Sequence, residues 1–335
     1  MLLSGFWHAA AALSGRIDLS EARRQPDSIS AMSDRALALC GVRPRHIARL
    51  RQAPPLQLHD HRLTLEDASY PGRLAALPYA PPVLFYRGNV ERLRDPCVAV
   101  VGARRCTQRA RDLAGAFSRD LSAAGVSVVS GLAYGVDEAA HNSAPGQTIA
   151  ILGQGLAADL SGRQRRLIDT ILSAGGLVLS EFLPHFPASR YTFPMRNRVI
   201  SGLTLGTVVV EASLRSGSLV TARHALDQGR EVMAVPGHPL DSMSTGCNRL
   251  IADGAVLVTG SDDILSAIDL PPSTRRPSRP ACAHQRAVLN ALRTGDTVDH
   301  VSAVTGLDIP TMMVAIDALE LTGHVARLPG DRLRT

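Results

Sequence analysis

The sequence predicts an α/β protein: a doubly wound, mostly parallel, Rossmann-like sheet, with a small helical domain before it and a winged-helix domain after it. Seven short, nearly all-apolar runs recur at Cys97 to Val101, Val126 to Ser130, Thr148 to Leu152, Leu177 to Ser180, Thr207 to Val210, Glu231 to Val235 and Val256 to Val258. Continuous apolarity, rather than alternation, marks strands buried on both faces of a parallel sheet. Helical spacing fills the gaps. Between the first two runs Ala110, Leu113, Ala114, Phe117 and Leu121 fall three and four residues apart and define one helix face. Such β-α alternation places ligands at the carboxyl ends of the strands. Finally, residues 271–283 hold four prolines and no apolar period, and three helical patterns and a short hairpin with a Pro329-Gly330-Asp331 turn follow them.

In chain order the reading is a small helical (SAM-like) domain over 1–80, a Rossmann-like core over 81–270, a linker over 271–283 and a winged helix over 284–335. The first segment contains a basic stretch, Arg43-Pro-Arg45-His46-Ile-Ala-Arg49-Leu-Arg51.

Composition excludes several functions. All 36 basic residues are Arg, so the chain lacks the Lys that a Walker-type phosphate loop, a Schiff base or a kinase-type ATP site requires. The formal charge is +6, yet residues 96–270 carry 15 Arg and 15 acids, so anion binding there must come from local clustering. Five scattered Cys without a C-x-x-C pair point to neither zinc nor a disulfide framework, and they suit a reducing cytosol. No cofactor and no metal are expected. The apolar start, Met1 to Leu13, lacks the basic n-region of a signal peptide, and no apolar run reaches the roughly 18 residues of a membrane helix.

Each strand end carries a candidate site. After the first, Gly102-Ala103-Arg104-Arg105 offers backbone amides and guanidinium donors to an anion, or is a plain turn with solvated arginines. After the second, Gly131 and Gly135 permit close approach by a phosphate or sugar, while Asp137 suits a helix cap. Gly153-Gln154-Gly155 is only a fragment of G-x-G-x-x-G, because Ala158 holds the third glycine's place. Arg190, Arg196, Asn197 and Arg198, beside Tyr191 and Phe193, interleave phosphate donors with rings that stack on bases. The bland version puts Phe193, Val199 and Ile200 in the core and pairs Arg196 with Glu181 or Glu211. Ser216, Gly217 and Ser218 supply donors at another helix start. No nucleophile-base constellation is present in the sequence.

Taken together, Val101 to Arg105, Ser130 to His141, Phe193 to Leu203, Val208 to Ala222, Gly229 to His238 and Gly246 to Ala255 resemble the DNA-processing protein A family (DprA, also called Smf). The resemblance implies a non-enzymatic core that binds single-stranded DNA, protects it and helps load the RecA recombinase in natural transformation. It also implies a homodimer formed through that core. It places a DNA-contacting Arg on Arg104, a basic site on Arg190 where relatives often carry Lys, and another on Arg165 or Arg166. From Gly155 to Gln164 the chain lacks the Tyr-Pro pair usual in the family, and Asn142 to Gln147 is shortened. The presumed recognition helix, Pro310 to Thr322, has no Arg and contains Asp317 and Glu320. A protein-contact role is therefore expected of it, with Arg327, Arg332 and Arg334 of the wing as its basic edge. Two other classes compete: a phosphoribohydrolase-like enzyme on a related core, and a duplex-binding transcriptional regulator.

Overall fold

A computed structural model describes residues 2–25, 28–57, 60–271, 283–292, 297–321, 325–328 and 332–334. The chain forms two compact units, Met1–Ser273 and Thr274–Thr335. The expected linker lies, except at its two ends, outside the described residues, as does the Pro329-Gly330-Asp331 turn.

The first unit begins with β1 (Leu2–Leu3), paired antiparallel to β2 (Leu56–Gln57) around helices α1 (Gly5–Ala12), α2 (Ser20–Arg23), α3 (Asp34–Leu39) and α4 (Pro44–Gln52). Local chemistry sets these helices: Ser33 caps α3 by accepting from Ala36 N–H (3.2 Å), and Pro44 supplies the pre-set φ of a first helical residue. Gly5 lets α1 close on the chain after α4, because a Cβ there would meet the Ala53 carbonyl at 1.8 Å.

These helices share one apolar core with the sheet, in which Phe6, Trp7 and Leu50 pack in the same cluster as Phe85 and Leu179. Residues 1–80 and 81–270 thus lie within one compact unit. Strands β3 (His61–Thr64) and β4 (Val83–Gly88), with α5 (Gly72–Ala75) between them, form an antiparallel edge that the sequence analysis did not anticipate.

The remaining strands are β5 (Cys97–Val101), β6 (Ser127–Ser130), β7 (Thr148–Leu152), β8 (Leu177–Ser180), β9 (Gly206–Val209), β10 (Glu231–Ala234) and β11 (Val256–Leu257), each within a residue of its predicted run. Among the described residues they complete a nine-stranded sheet of order β11-β10-β9-β5-β6-β7-β8-β4-β3, parallel from β11 to β8. Side chains of β5 alternate between two cores. Val98 and Val100 pack with α6 (Gln108–Ala123), α7 (Val136–Ser143) and α12 (Ser261–Ala267). Cys97, Ala99 and Val101 pack with α8 (Gly162–Ser173), α9 (Thr192–Leu203), α10 (Ser218–Asp227) and α11 (Thr245–Ala252). The predicted face of α6 is the buried one, although Leu113 is only partly covered.

From β5 the chain winds outward through β6, β7 and β8 on one side and through β9, β10 and β11 on the other. The winding reverses between β5 and β9, and a crevice opens beyond the carboxyl ends of strands at such a switch point.

The second unit holds α13 (Ala283–Ala291), α14 (Val298–Thr305) and α15 (Ile309–Leu321), then β12 (Ala326–Leu328) antiparallel to β13 (Arg332–Arg334). Its own core gathers Val288, Val301, Ile316, Leu319 and Leu333, as a winged helix requires. The side chains of Arg327 and Arg334 lie outside the described residues. Among those residues no single helix is long and apolar enough to cross a membrane.

Candidate nucleic-acid interface

The switch point opens into a cleft of about 590 Å³. Three segments make most of its wall: the turn after β5, the loop and first turn of α10 after β9, and the N-terminal half of α9 with Arg190 before it; Ala133, Asp137 and Met243 add to it.

The β5 turn is clasped across the switch point. Ala103 N–H donates to the Glu211 carbonyl (2.8 Å), and the Glu211 carboxylate accepts from the Thr107 amide (3.0 Å) and hydroxyl (2.6 Å). That hydroxyl in turn accepts from Ala110 N–H (3.2 Å) and caps α6. Glu211 is thus bonded inward, and among the described residues no carboxylate pairs with Arg104 or Arg105, both exposed on the cleft wall.

Rings stand beside these cations. The Arg104 guanidinium lies 5.4 Å from the centroid of Phe193, and that ring fits because Gly153 has no Cβ, which would come within 2.7 Å of it. Arg190 lies 4.7 Å over the exposed ring of Tyr191. One Arg190 N–H donates to the Tyr191 hydroxyl (2.5 Å), and its other N–H groups, like those of Arg104, are left to suit phosphate. On the facing wall Ser216 and Ser218 share a hydroxyl hydrogen bond (2.7 Å) at the start of α10, where the helix dipole and the Gly217 amide favour an anion while the Ser216 amide is taken by the Ser213 carbonyl (3.0 Å). Asn197 ties α9 to this loop by donating to the Gly217 carbonyl (3.4 Å).

The floor is Arg196. It is 4 % exposed and donates to the carbonyls of Gly131 (2.6 Å) and Ile151, bracing the ends of β6 and β7. Burial pulls its pKa down to about 10; Asp137 opposes that shift and Arg104 adds to it. The expected pairing of Arg196 with Glu181 or Glu211 does not occur: Arg198 takes Glu181 instead. Asp137 is buried too, and burial raises its carboxyl pKa against the pull of Arg196 and of backbone N–H donors. Instead of capping α7, it accepts from the amides of Gly131 (3.0 Å) and Ala133 (3.4 Å) and so pins Leu132 between them at φ +56°.

Several predicted contacts are therefore inward supports. Arg198, paired with the fully buried Glu181 and donating to the Tyr79 carbonyl (2.8 Å), faces away from the cleft. The space at Gly131 and Gly135 is taken by the protein itself. A Cβ at Gly131 would lie 2.6 Å from the Arg196 guanidinium, and one at Gly135 (φ +84°) would lie 2.3 Å from the Ala103 carbonyl. Gly155 likewise backs onto the Leu183 and Pro184 carbonyls. Arg165 and Arg166 are exposed on α8, outside the cleft, where Arg165 is 4.0 Å from Asp159.

Sequence reasoning missed the Thr107–Glu211 clasp and Met243 as a wall residue. Neither carries a local signal: the clasp depends on β9 lying beside β5, and Met243 arrives from the stretch between β10 and α11. The cleft lining includes no His or Cys, and among the described residues no cluster of three or more metal-ligating side chains occurs.

Fold and cleft define the class: a Rossmann-like protein whose switch-point crevice is walled by arginines, rings and helix-start amides, coupled to a winged helix. The comparisons specify it further. The family model described as DNA recombination-mediator protein A matches residues 61–269, and the DprA winged helix domain matches residues 271–331. The chain belongs to the DNA recombination-mediator protein A family. It is 39% identical over 293 residues to Protein Smf of Escherichia coli, covering 83% of this chain and 78% of that one. It is 43% identical over 210 residues to DNA processing protein DprA of Streptococcus pneumoniae, covering 61% and 72%. The solved DprA from S. pneumoniae superposes with TM-score 0.66 at 33% identity, covering 79% of this chain and 98% of that one. DprA from Helicobacter pylori, solved to show its single-stranded DNA binding mode, gives TM-score 0.57 at 28% identity, covering 63% and 96%.

Proposed function

We propose that this protein is a non-enzymatic single-stranded DNA-binding recombination mediator and that the switch-point cleft holds the strand. One observation carries the reading: Arg104, Arg105 and Arg190, without carboxylate partners among the described residues, stand beside Phe193 and Tyr191 where the parallel sheet opens. Phosphates take the guanidinium donors and the Gly217 amide at the start of α10, while bases stack on the rings. Nothing in the lining is arranged to read base edges, so binding is sequence-tolerant.

Fluorescence anisotropy on single- and double-stranded oligonucleotides across a salt series tests this. The expected result is preference for the single strand, with a log-log salt slope of about −0.7 per phosphate contacted. Equal affinity for the duplex, or binding indifferent to Arg104→Ala and Arg190→Ala together, would overturn it.

The finer reading is that the bound strand is protected from nucleases and passed to RecA in the cytosol by a homodimer formed through the core, with the winged helix contacting protein rather than duplex. Family membership and the absence of Arg from α15 support it. Faster RecA assembly on protein-bound strand than on bare strand is the expected outcome.

A further inference from the structure

A second basic surface lies on the N-terminal helices. Arg16, Arg43, Arg45 and Arg49 line a groove of about 570 Å³ with Gly15 and Tyr79, and no carboxylate is among its lining residues. All four guanidinium groups are exposed, and none has an ion-pair partner among the described residues. Elsewhere on α4 an acid is at hand, supplied by α3: Arg51 pairs with Asp34 at 2.9 Å. The groove is thus left positive.

Two features make this arrangement suit an anion. Arg43 is the N-cap of α4 and Arg45 sits in its first turn, where no acid is present, so both cations face the positive end of the helix dipole. The His46 ring, 7 % exposed, also borders the groove and has no hydrogen-bond partner among the described residues. A bound phosphate would answer both.

Helix α9 joins this groove to the cleft. Phe193 and Asn197 line the cleft. On another face, Tyr191, Met195 and Arg198 fall at i, i+4 and i+7. Met195 Cε lies where a Cβ on Gly15 would be 2.7 Å away, and Arg198 donates to the Tyr79 carbonyl. Gly15 and Tyr79 are groove residues, so the exposed Arg190–Tyr191 pair forms the ridge between the two sites.

We propose that the groove of Arg16, Arg43, Arg45 and Arg49 is a second phosphate-binding site for the same strand, reached over the Arg190–Tyr191 ridge. The proposal rests on the single-strand reading above and extends it to longer DNA.

The test compares Arg43→Gln/Arg45→Gln/Arg49→Gln with Arg104→Ala in the full chain, using oligonucleotides of about 6 and about 20 nucleotides, which bracket typical single-strand site sizes. The triple variant should bind the longer oligonucleotide roughly 10- to 100-fold more weakly, with a salt slope smaller by about 2, and the shorter one as wild type does. Arg45→Gln alone should remove about 0.7 of that slope, and the wild type should itself show a steeper slope on the longer strand. Unchanged binding of the longer strand by the triple variant, with Arg104→Ala weakened, overturns the groove and leaves the cleft standing. Equal weakening on both lengths overturns the extension. Indifference to every variant removes the single-strand reading itself.

Discussion

The turn after β5 and the first turns of α9 both read as arginine-rich stretches beside glycine or aromatic residues, yet they do opposite work. Arg104 and Arg105 reach solvent with no anionic partner among the described residues, whereas Arg196 and Arg198 turn inward onto carbonyls and a buried carboxylate. Helical phase separates the roles on α9: Phe193 and Asn197 face the cleft, and Arg198 faces the N-terminal helices. An arginine's type does not fix its function; what matters is whether a carbonyl or carboxylate already waits for it.

The sharpest way to break this comparison is Arg196→Ala. It strips hydrogen bonds from two buried carbonyls and leaves the Asp137 carboxylate without its cationic neighbour, so a loss of about 3–5 kcal/mol is expected. Urea denaturation measures it; a loss under about 1 kcal/mol would mean that Arg196 is not a brace.

A pH-dependent effect comes next, from the same floor. His141 is fully buried, with Nδ1 2.8 Å from the Thr148 hydroxyl, and burial reinforced by Arg196 lowers its pKa to about 3. The unfolded imidazole, with an ordinary pKa of 6.5, gains a proton below that pH that the folded ring refuses until about pH 3. Stability from this group is therefore complete above pH 6.5 and falls on acidification, by about 1.4 kcal/mol per pH unit. Asp137 and Glu181, whose carboxyls burial holds up, contribute with the opposite sign from their ordinary values of 3.8 and 4.5 upward. Between pH 7 and 5 the denaturation midpoint of the wild type should lose ground on acidification relative to that of His141→Gln, and parallel profiles would mean that His141 plays no part.

Gly135→Ala links the two regions. Its positive φ costs roughly 1–3 kcal/mol for a side chain, and the added Cβ would push on the Ala103 carbonyl, so thermal stability and strand binding should fall together. Wild-type binding by a destabilised variant would uncouple the β6 turn from the cleft.

Much of this was legible in the sequence. The seven parallel strands show because burial on both faces makes each a continuous apolar run, and strand-end turns then place the candidate site. The antiparallel edge did not show: His61–Thr64 is too short and polar for a period, and Val83–Gly88 earns its place by pairing with Leu177–Ser180, some ninety residues on. The site was legible as a set of strand ends. The inward turn of Arg196 and Arg198 was not, because it depends on what Gly131, Ile151 and Glu181 present after folding.

Smaller effects belong to the cleft wall. Arg104→Ala and Arg190→Ala should each leave the unfolding midpoint within about 0.5 kcal/mol of wild type, since neither removes an ion pair or a buried bond. Each should weaken binding to a short single strand about 5- to 10-fold at low salt and reduce the salt slope by about 0.7. A large stability loss would move these residues into the class of Arg196.

The finest distinction is Arg104→Lys, in a chain that has no lysine. Charge is kept, so the salt slope should not change. What is lost is the flat guanidinium over Phe193 and its paired donors, since an ammonium is a compact point charge. At an exposed site that contact is worth about 0.5–1 kcal/mol, so affinity should fall about 2- to 5-fold at constant slope. Phe193→Leu should lower affinity in the wild-type background. If Arg104 acts partly through the ring, the same substitution should cost less in the Arg104→Lys background. Full additivity of the two losses would assign Phe193 to base stacking alone and reduce Arg104 to a simple charge.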